Sequence, residues 1–186
     1  MRAKIIYVMR PLKEYDISFT GLKPGKHQYK YFINKEFFEA FNYDEFLSAD
    51  VEIILDFIKK ATLLELHFNA KGNVKVVCDI SNEPYNQTIQ GDLDTVVKFG
   101  DEFNDDNEEL IIIPFDDHQI NVSQFIYEMI VLSVPSKRIH PGIEDGTLQS
   151  DILEKLKDLE PGKNKESDMI DPRWADLKKL ITNKKT

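Results

Sequence analysis

Apolar and polar residues alternate with a period of two along much of the chain, the spacing of a half-buried β-strand. His27, Tyr29, Tyr31 and Ile33 share one side of such a run, with Gln28, Lys30, Phe32 and Asn34 on the other. Val51, Ile53, Leu55 and Phe57 form the next run, followed by Leu64, Leu66 and Phe68. Val74, Val76, Cys78 and Ile80 come after these, then Tyr85, Gln87 and Ile89, with Leu93 to Phe99 continuing. Residues 5–12 and 110–113 read as further strands. Leu22-Lys23-Pro24-Gly25 supplies the dihedrals of a type II turn. Ala70-Lys71-Gly72-Asn73 predicts a hairpin turn, because Gly and Asn tolerate positive φ, and Ser81-Asn82-Glu83-Pro84 predicts another. Strands joined by short turns pair as antiparallel neighbours, so the pattern predicts a β-meander, open or barrel-like. Residues 36–46 fit either a helix through Phe37, Phe38 and Phe41 or a loop, and residues 100–109 read as an acidic loop.

The period then changes. Val122, Phe125, Ile126, Met129 and Ile130 recur at helical spacing, which predicts one amphipathic helix over about 121–134, packed on a sheet face. Asn121 stands where an N-cap would, Gln124 follows three residues on as in a capping box, and Val134-Pro135 closes the segment. Residues 136–150 read as loop and 151–159 as a short helix with Ile152, Leu153, Leu156 and Leu159 on one side. The polar stretch 161–170 reads as a linker. In the last segment Asp171 is a good N-cap, Pro172 suits the first helical position, and Trp174, Leu177 and Ile181 share a face. The fold class that follows is α+β: a single β-rich domain over 1–160 packed by one main helix, then a linker and a short C-terminal tail helix with a basic end over 171–186.

The net charge is −9, and its distribution sharpens the picture. Residues 1–43 carry +4, residues 44–160 carry −16, and residues 161–186 carry +3. An acidic body repels phosphate and suits a basic protein partner; solubility is the plainer reading of the same charge. The single cysteine, Cys78, makes no internal disulfide, and no run of about 18 apolar residues occurs, so a cytoplasmic setting without a membrane partner is expected.

Catalytic patterns are absent. There is no Gly-rich phosphate loop, no His-Glu-x-x-His and no Gly-x-Ser-x-Gly. His27, His67, His118 and His140 are scattered, and Asp116-Asp117-His118 reads as an exposed turn more readily than as metal ligands. Residues 101–109 lack the bend glycine of a calcium loop. Cys78 shares the apolar face of Val74 and Val76 and reads as a buried, inert thiol. These observations favour binding over catalysis, with no cofactor, no metal and no small-molecule substrate. A helix as short as the tail helix is marginal alone in water, so Trp174 and its face need a surface, either on their own domain or on a partner. Asp171, Pro172, Arg173, Trp174, Leu177, Lys178 and Lys179 are therefore the candidate partner-binding residues.

The run Asp171-Pro172-Arg173-Trp174-Ala175-Asp176-Leu177-Lys178-Lys179-Leu180 resembles the C-terminal signature of the YceD family, the large ribosomal RNA subunit accumulation proteins. Leu22 to His27 resembles an early turn of that family. Val76 to Ser81 falls where many members carry Cys-x-x-Cys, and residues 120–135 resemble its helix ending in Leu-x-x-Pro. The resemblance implies a non-catalytic factor in large-subunit ribosomal RNA accumulation and ribosome assembly, whose gene often lies beside that of a large-subunit ribosomal protein. The partner it implies is a large-subunit ribosomal protein, an rRNA precursor, or both. Many members have cysteines that could hold zinc; here Ser81 replaces the second sheet cysteine and residues 136–141 contain none, so no metal is carried over. Two other readings stay open: a general protein-interaction adaptor, and an RNA-binding module stacking bases on Tyr29 and Tyr31 of the sheet face.

Overall fold

A computed structural model describes residues 12–107 and 110–159. The chain divides into two compact units, Met1–His140 and Pro141–Thr186. The first is α+β. A short 3-10 turn, Lys13–Tyr15, leads into β1 (Asp16–Ser18), which pairs antiparallel with β8 (Gln119–Asn121) as a separate ribbon. The main sheet has six strands in the order β2-β3-β4-β5-β7-β6 and remains open. Its strands are β2 (Gly25–Ile33), β3 (Ser48–Lys59), β4 (Leu63–Val77), β5 (Pro84–Gly100), β6 (Asn104–Asn107) and β7 (Leu110–Pro114). The expected strand over 5–12 falls almost wholly outside the described residues.

The period-two sequence determines which face is inside. Val51, Ile53, Leu55 and Phe57 of β3 and Leu64, Leu66 and Phe68 of β4 are all buried. Each such side chain removed from water contributes about 1.5–3 kcal/mol, so this face dominates the stability of the unit. The chain enters β2 through Pro24-Gly25, where Gly25 has φ +133°, and turns from β4 to β5 through Asn82, with φ 61°.

Two expectations about turns need correction. Residues 70–73 do not form a hairpin: β4 continues unbroken, and Gly72 pairs with Val51 on one side and Ile89 on the other. A methyl at Gly72 would overlap the Asp50 carbonyl oxygen and lie 2.6 Å from Val51 Cα. The glycine is there because two backbones approach closely, and the long strand needs it in mid-sheet. The acidic stretch after Gly100 is not all loop either, since Asn104–Asn107 forms β6.

The meander also ends early. β2 to β5 are consecutive antiparallel neighbours, but β7 lies parallel to β5, with β6 antiparallel outside it. Hydrophobicity explains the exchange. Ile111 and Ile113 of β7 are buried and take the inner position, and the polar β6 takes the edge.

Two helices cover the inner face. The ambiguous segment at 36–46 begins as helix α1 (Lys35–Ala40), capped by Asn34, whose side chain accepts from Phe37 N at 3.3 Å. Phe37 and Phe38 enter an aromatic cluster with Tyr15, Tyr31, Tyr43, Phe46 and Tyr127; Phe41 stacks on Tyr127 at 4.4 Å. Helix α2 (Ser123–Ser133) buries Ile126, Met129 and Ile130, with Val122 buried just before it, and lies against β5 and β4. Phe125 reaches Phe68, with ring centroids 5.9 Å apart. The capping box is replaced by a different arrangement. Asn121 belongs to β8, its side-chain oxygen accepts from Ser123 N at 3.0 Å, and Gln124 donates to Glu128 rather than reaching back.

In the second unit, Pro141–Glu144 forms α3 and Asp151–Asp158 forms α4. Ser150 caps α4 by accepting from Ile152 N at 3.3 Å. No helix among the described residues is long and apolar enough to cross a membrane.

Candidate partner-binding site

Asp171, Pro172, Arg173, Trp174, Leu177, Lys178 and Lys179 lie outside the described residues. Within the first unit, two other places concentrate chemistry.

The first is the corner around Cys78, at the end of β4. The sulfur is buried and accepts backbone N–H groups from His140 at 3.2 Å and from Ile80 and Ser81 at 3.5 Å. Burial opposes ionisation of this thiol, but hydrogen bonds from the Ser81 side chain and from these three amides outweigh it and hold the thiol below its ordinary value. Arg138 closes the corner from outside. Its guanidinium meets Glu45 at 2.8 Å and Asp79 at 3.3 Å, and its backbone N–H donates to Asp79 at 2.8 Å. Burial alone would lower the Arg138 pKa; Asp79 and Glu45 raise it instead.

The corner therefore joins the β4–β5 turn to residues 138–140. The donor set does not suit a metal here. Ser81 is a buried hydroxyl where a second thiolate would be needed, and His140 turns its backbone toward the sulfur while its ring packs on Tyr85 at 5.4 Å. No group of three or more His, Cys, Asp or Glu capable of holding a metal occurs among the described residues. Hydrogen bonds and ion pairs make the cross-link at this corner.

The second place is a groove of about 860 Å³ between α2, the β5–β7 part of the sheet and β8. Its walls are mixed: the apolar part comes from Leu93 of β5, Ile111 and Ile113 of β7, Ile120 of β8, and Phe125 and Met129 of α2, with polar side chains such as Gln119 and Gln124 between them. Leu132 and Phe103 stand at its lip, 82% and 59% exposed. Its charged members are Asp92, Asp117 and Glu128, and among the described residues no Lys, Arg or His lines it. Thr95, 2% exposed, also lines it, and the Thr95 hydroxyl oxygen has no hydrogen-bond partner among the described residues. A buried polar atom without a partner costs stability, so its presence in this wall is unusual.

The groove was not anticipated from sequence, because its walls run from Gln90 to Ser133, segments too far apart for a local pattern to join. One signal was available. In the inward row Leu93, Thr95, Val97, Phe99, the threonine breaks an otherwise apolar series.

Tyr29 and Tyr31, the aromatic pair considered for base stacking, face inward. Tyr31 stacks on Tyr15 at 5.2 Å, and Tyr29 meets Phe57 edge-on at 6.2 Å. The exposed aromatic of β2 is Phe32, which carries Lys30 over its ring at 5.1 Å. The lysines beside it are paired, Lys30 with Glu52 and Lys26 with Asp56. Cys78 is buried as expected, but it is hydrogen-bonded rather than held by apolar packing alone.

Comparison with known proteins adds one match. The family described as "Large ribosomal RNA subunit accumulation protein YceD" matches residues 66–181. No curated protein and no solved structure matches the chain.

Proposed function

The chain belongs to the YceD family, and from that premise we propose that it supports accumulation of the large-subunit ribosomal RNA as a cytoplasmic, non-catalytic assembly factor. It does so by holding a large-subunit ribosomal protein, an rRNA precursor, or both. The observation that carries this reading is the extent of the family match, which runs from β4 through α2 and on across the Asp171–Leu180 motif.

The charge distribution favours a protein as the direct partner of the sheet unit. Residues 1–140 carry 15 basic and 23 acidic side chains, and this net −8 attracts a basic protein and repels RNA phosphates. The proposed contacts to the partner through the tail are Trp174 and Leu177 as anchors, with Arg173, Lys178 and Lys179 meeting acidic or phosphate groups beside them. The sequence suits Asp171 and Pro172 to the N-cap and first position of a helix that would present them.

Sedimentation tests the reading. Lysate from cells expressing the tagged chain is run on a gradient and each fraction probed for the chain and for precursor large-subunit RNA. Comigration with the precursor particle is expected, together with a fall in large-subunit RNA when the gene is deleted. A chain found only at the top of the gradient, with normal RNA levels after deletion, would sink it.

A further inference from the structure

The geometry points to the α2 groove as the docking site for an apolar segment of a protein partner that carries lysine or arginine beside its apolar side chains. This deepens the function proposed above and rests on it for the class of partner.

The volume of about 860 Å³ falls within the range of functional binding clefts and can take several side chains. The apolar side chains of the walls offer burial to whatever enters, and Leu132 and Phe103 carry the apolar surface outward onto the lip. Such a lip suits a length of chain lying along α2 better than an enclosed small molecule. The Thr95 hydroxyl both donates and accepts, so it can bond a peptide N–H or C=O that reaches the floor. An occupant of that kind accounts for a buried polar atom that the fold leaves unpaired.

Charge selects the occupant. With Asp92, Asp117 and Glu128 around the groove and no basic residue lining it among the described residues, a cationic segment is attracted. An RNA strand is repelled by the same three carboxylates, and a second copy of a chain of net charge −9 is opposed by like charge.

The test uses the full chain, a short fluorescent peptide of interspersed leucine and lysine, and binding read by anisotropy. Two control peptides replace every lysine by glutamate or every leucine by serine. Thr95→Val keeps the shape of the side chain and removes the hydroxyl. The expected result is several-fold weaker binding with a thermal midpoint unchanged or raised, because the unpaired oxygen is gone; a residue kept only for the fold would lower the midpoint instead. Leu132→Lys alters an exposed position, and about tenfold weaker binding is expected with the melting curve intact. Both control peptides should bind at least tenfold more weakly than the leucine–lysine peptide.

The groove assignment is overturned if the leucine–lysine peptide does not bind, if it binds equally to both variants, or if the glutamate peptide binds as well. It is also overturned if a single-stranded RNA oligonucleotide binds in a manner that both variants abolish. The wider reading is separable. Comigration with precursor particles that survives in both variants removes the groove and keeps the assembly role. Groove-dependent peptide binding by a chain that never meets a precursor particle keeps the groove and removes that role.

Discussion

Gly72 shows how a single residue can carry two opposite readings. Followed by Asn, it fits a hairpin turn, yet it lies in the middle of a fifteen-residue strand because neighbouring backbone leaves no room for a Cβ. Gly72→Ala is expected to cost about 1–3 kcal/mol, the usual penalty of forcing atoms into a packed site. The check is a lower urea midpoint with an unchanged slope. Had the position been a turn, alanine there would leave the neighbouring strand undisturbed. Local composition could not separate these outcomes, since the decisive atoms belong to Asp50 and Val51 on another strand. The tyrosines of the aromatic cluster behave differently, because their chemistry follows from burial. Burial first, and neighbouring acidic groups or tyrosines second, push Tyr15, Tyr31 and Tyr43 up to about 12 from an ordinary value of 10.0. A group whose folded pKa is raised contributes stability that is complete below the unfolded value and is lost as pH rises through the folded one. Stability should therefore hold to about pH 10 and decline toward about pH 12. Denaturation midpoints followed across that window, with phenolate absorbance alongside, give the measurement. A decline well below pH 10 would contradict the assignment.

Among the elements, legibility followed the range of the interaction. β2 and β3 were readable because alternation is local and their inward rows are uninterrupted, whereas Gly72 interrupts the row of β4, which therefore reads as two strands, and Thr95 interrupts that of β5. Helix α2 was readable from its stripe, but not its start: Asn121 has a second task, donating to Leu12 O and Asp16 Oδ1, which binds it to the β1–β8 ribbon. The parallel placement of β7 was not readable, since Leu110–Ile113 is equally apolar in either direction and only the competition with β6 for the inner position decides it. Helix α2 also allows a contrast within two turns. Ile126 is fully buried, and Ile126→Ala is expected to cost about 2–5 kcal/mol through lost burial and a residual cavity. Leu132 is 82% exposed, and Leu132→Ala should change stability by less than about 0.5 kcal/mol. Thermal denaturation of the two variants side by side measures this. Comparable losses would mean that the helix face at Leu132 is covered within the unit, which would also remove the lip of the groove.

At the scale of the whole molecule, charge and hydrophobic anchoring make opposite predictions for the tail, so one truncation distinguishes them. Removing residues 171–186 takes away five basic and two acidic residues and moves the net charge from −9 to −12. If long-range attraction alone drew the chain to a basic ribosomal protein, the truncated chain would bind as well or better, and salt would weaken both forms. If the Trp174 segment is itself gripped by the partner, affinity falls although the charge has become more favourable. The second outcome is expected. An aromatic anchor at the centre of an interface contributes about 2 kcal/mol or more, so Trp174→Ala should reproduce most of the loss, roughly thirtyfold. Neither change should move the melting of the sheet unit, whose buried core lies between Tyr15 and Ile130. The measurement is affinity for isolated basic large-subunit ribosomal proteins at several salt concentrations. A truncated chain that binds with undiminished affinity would mean that the tail is not the anchor and that attraction resides in the acidic sheet unit alone.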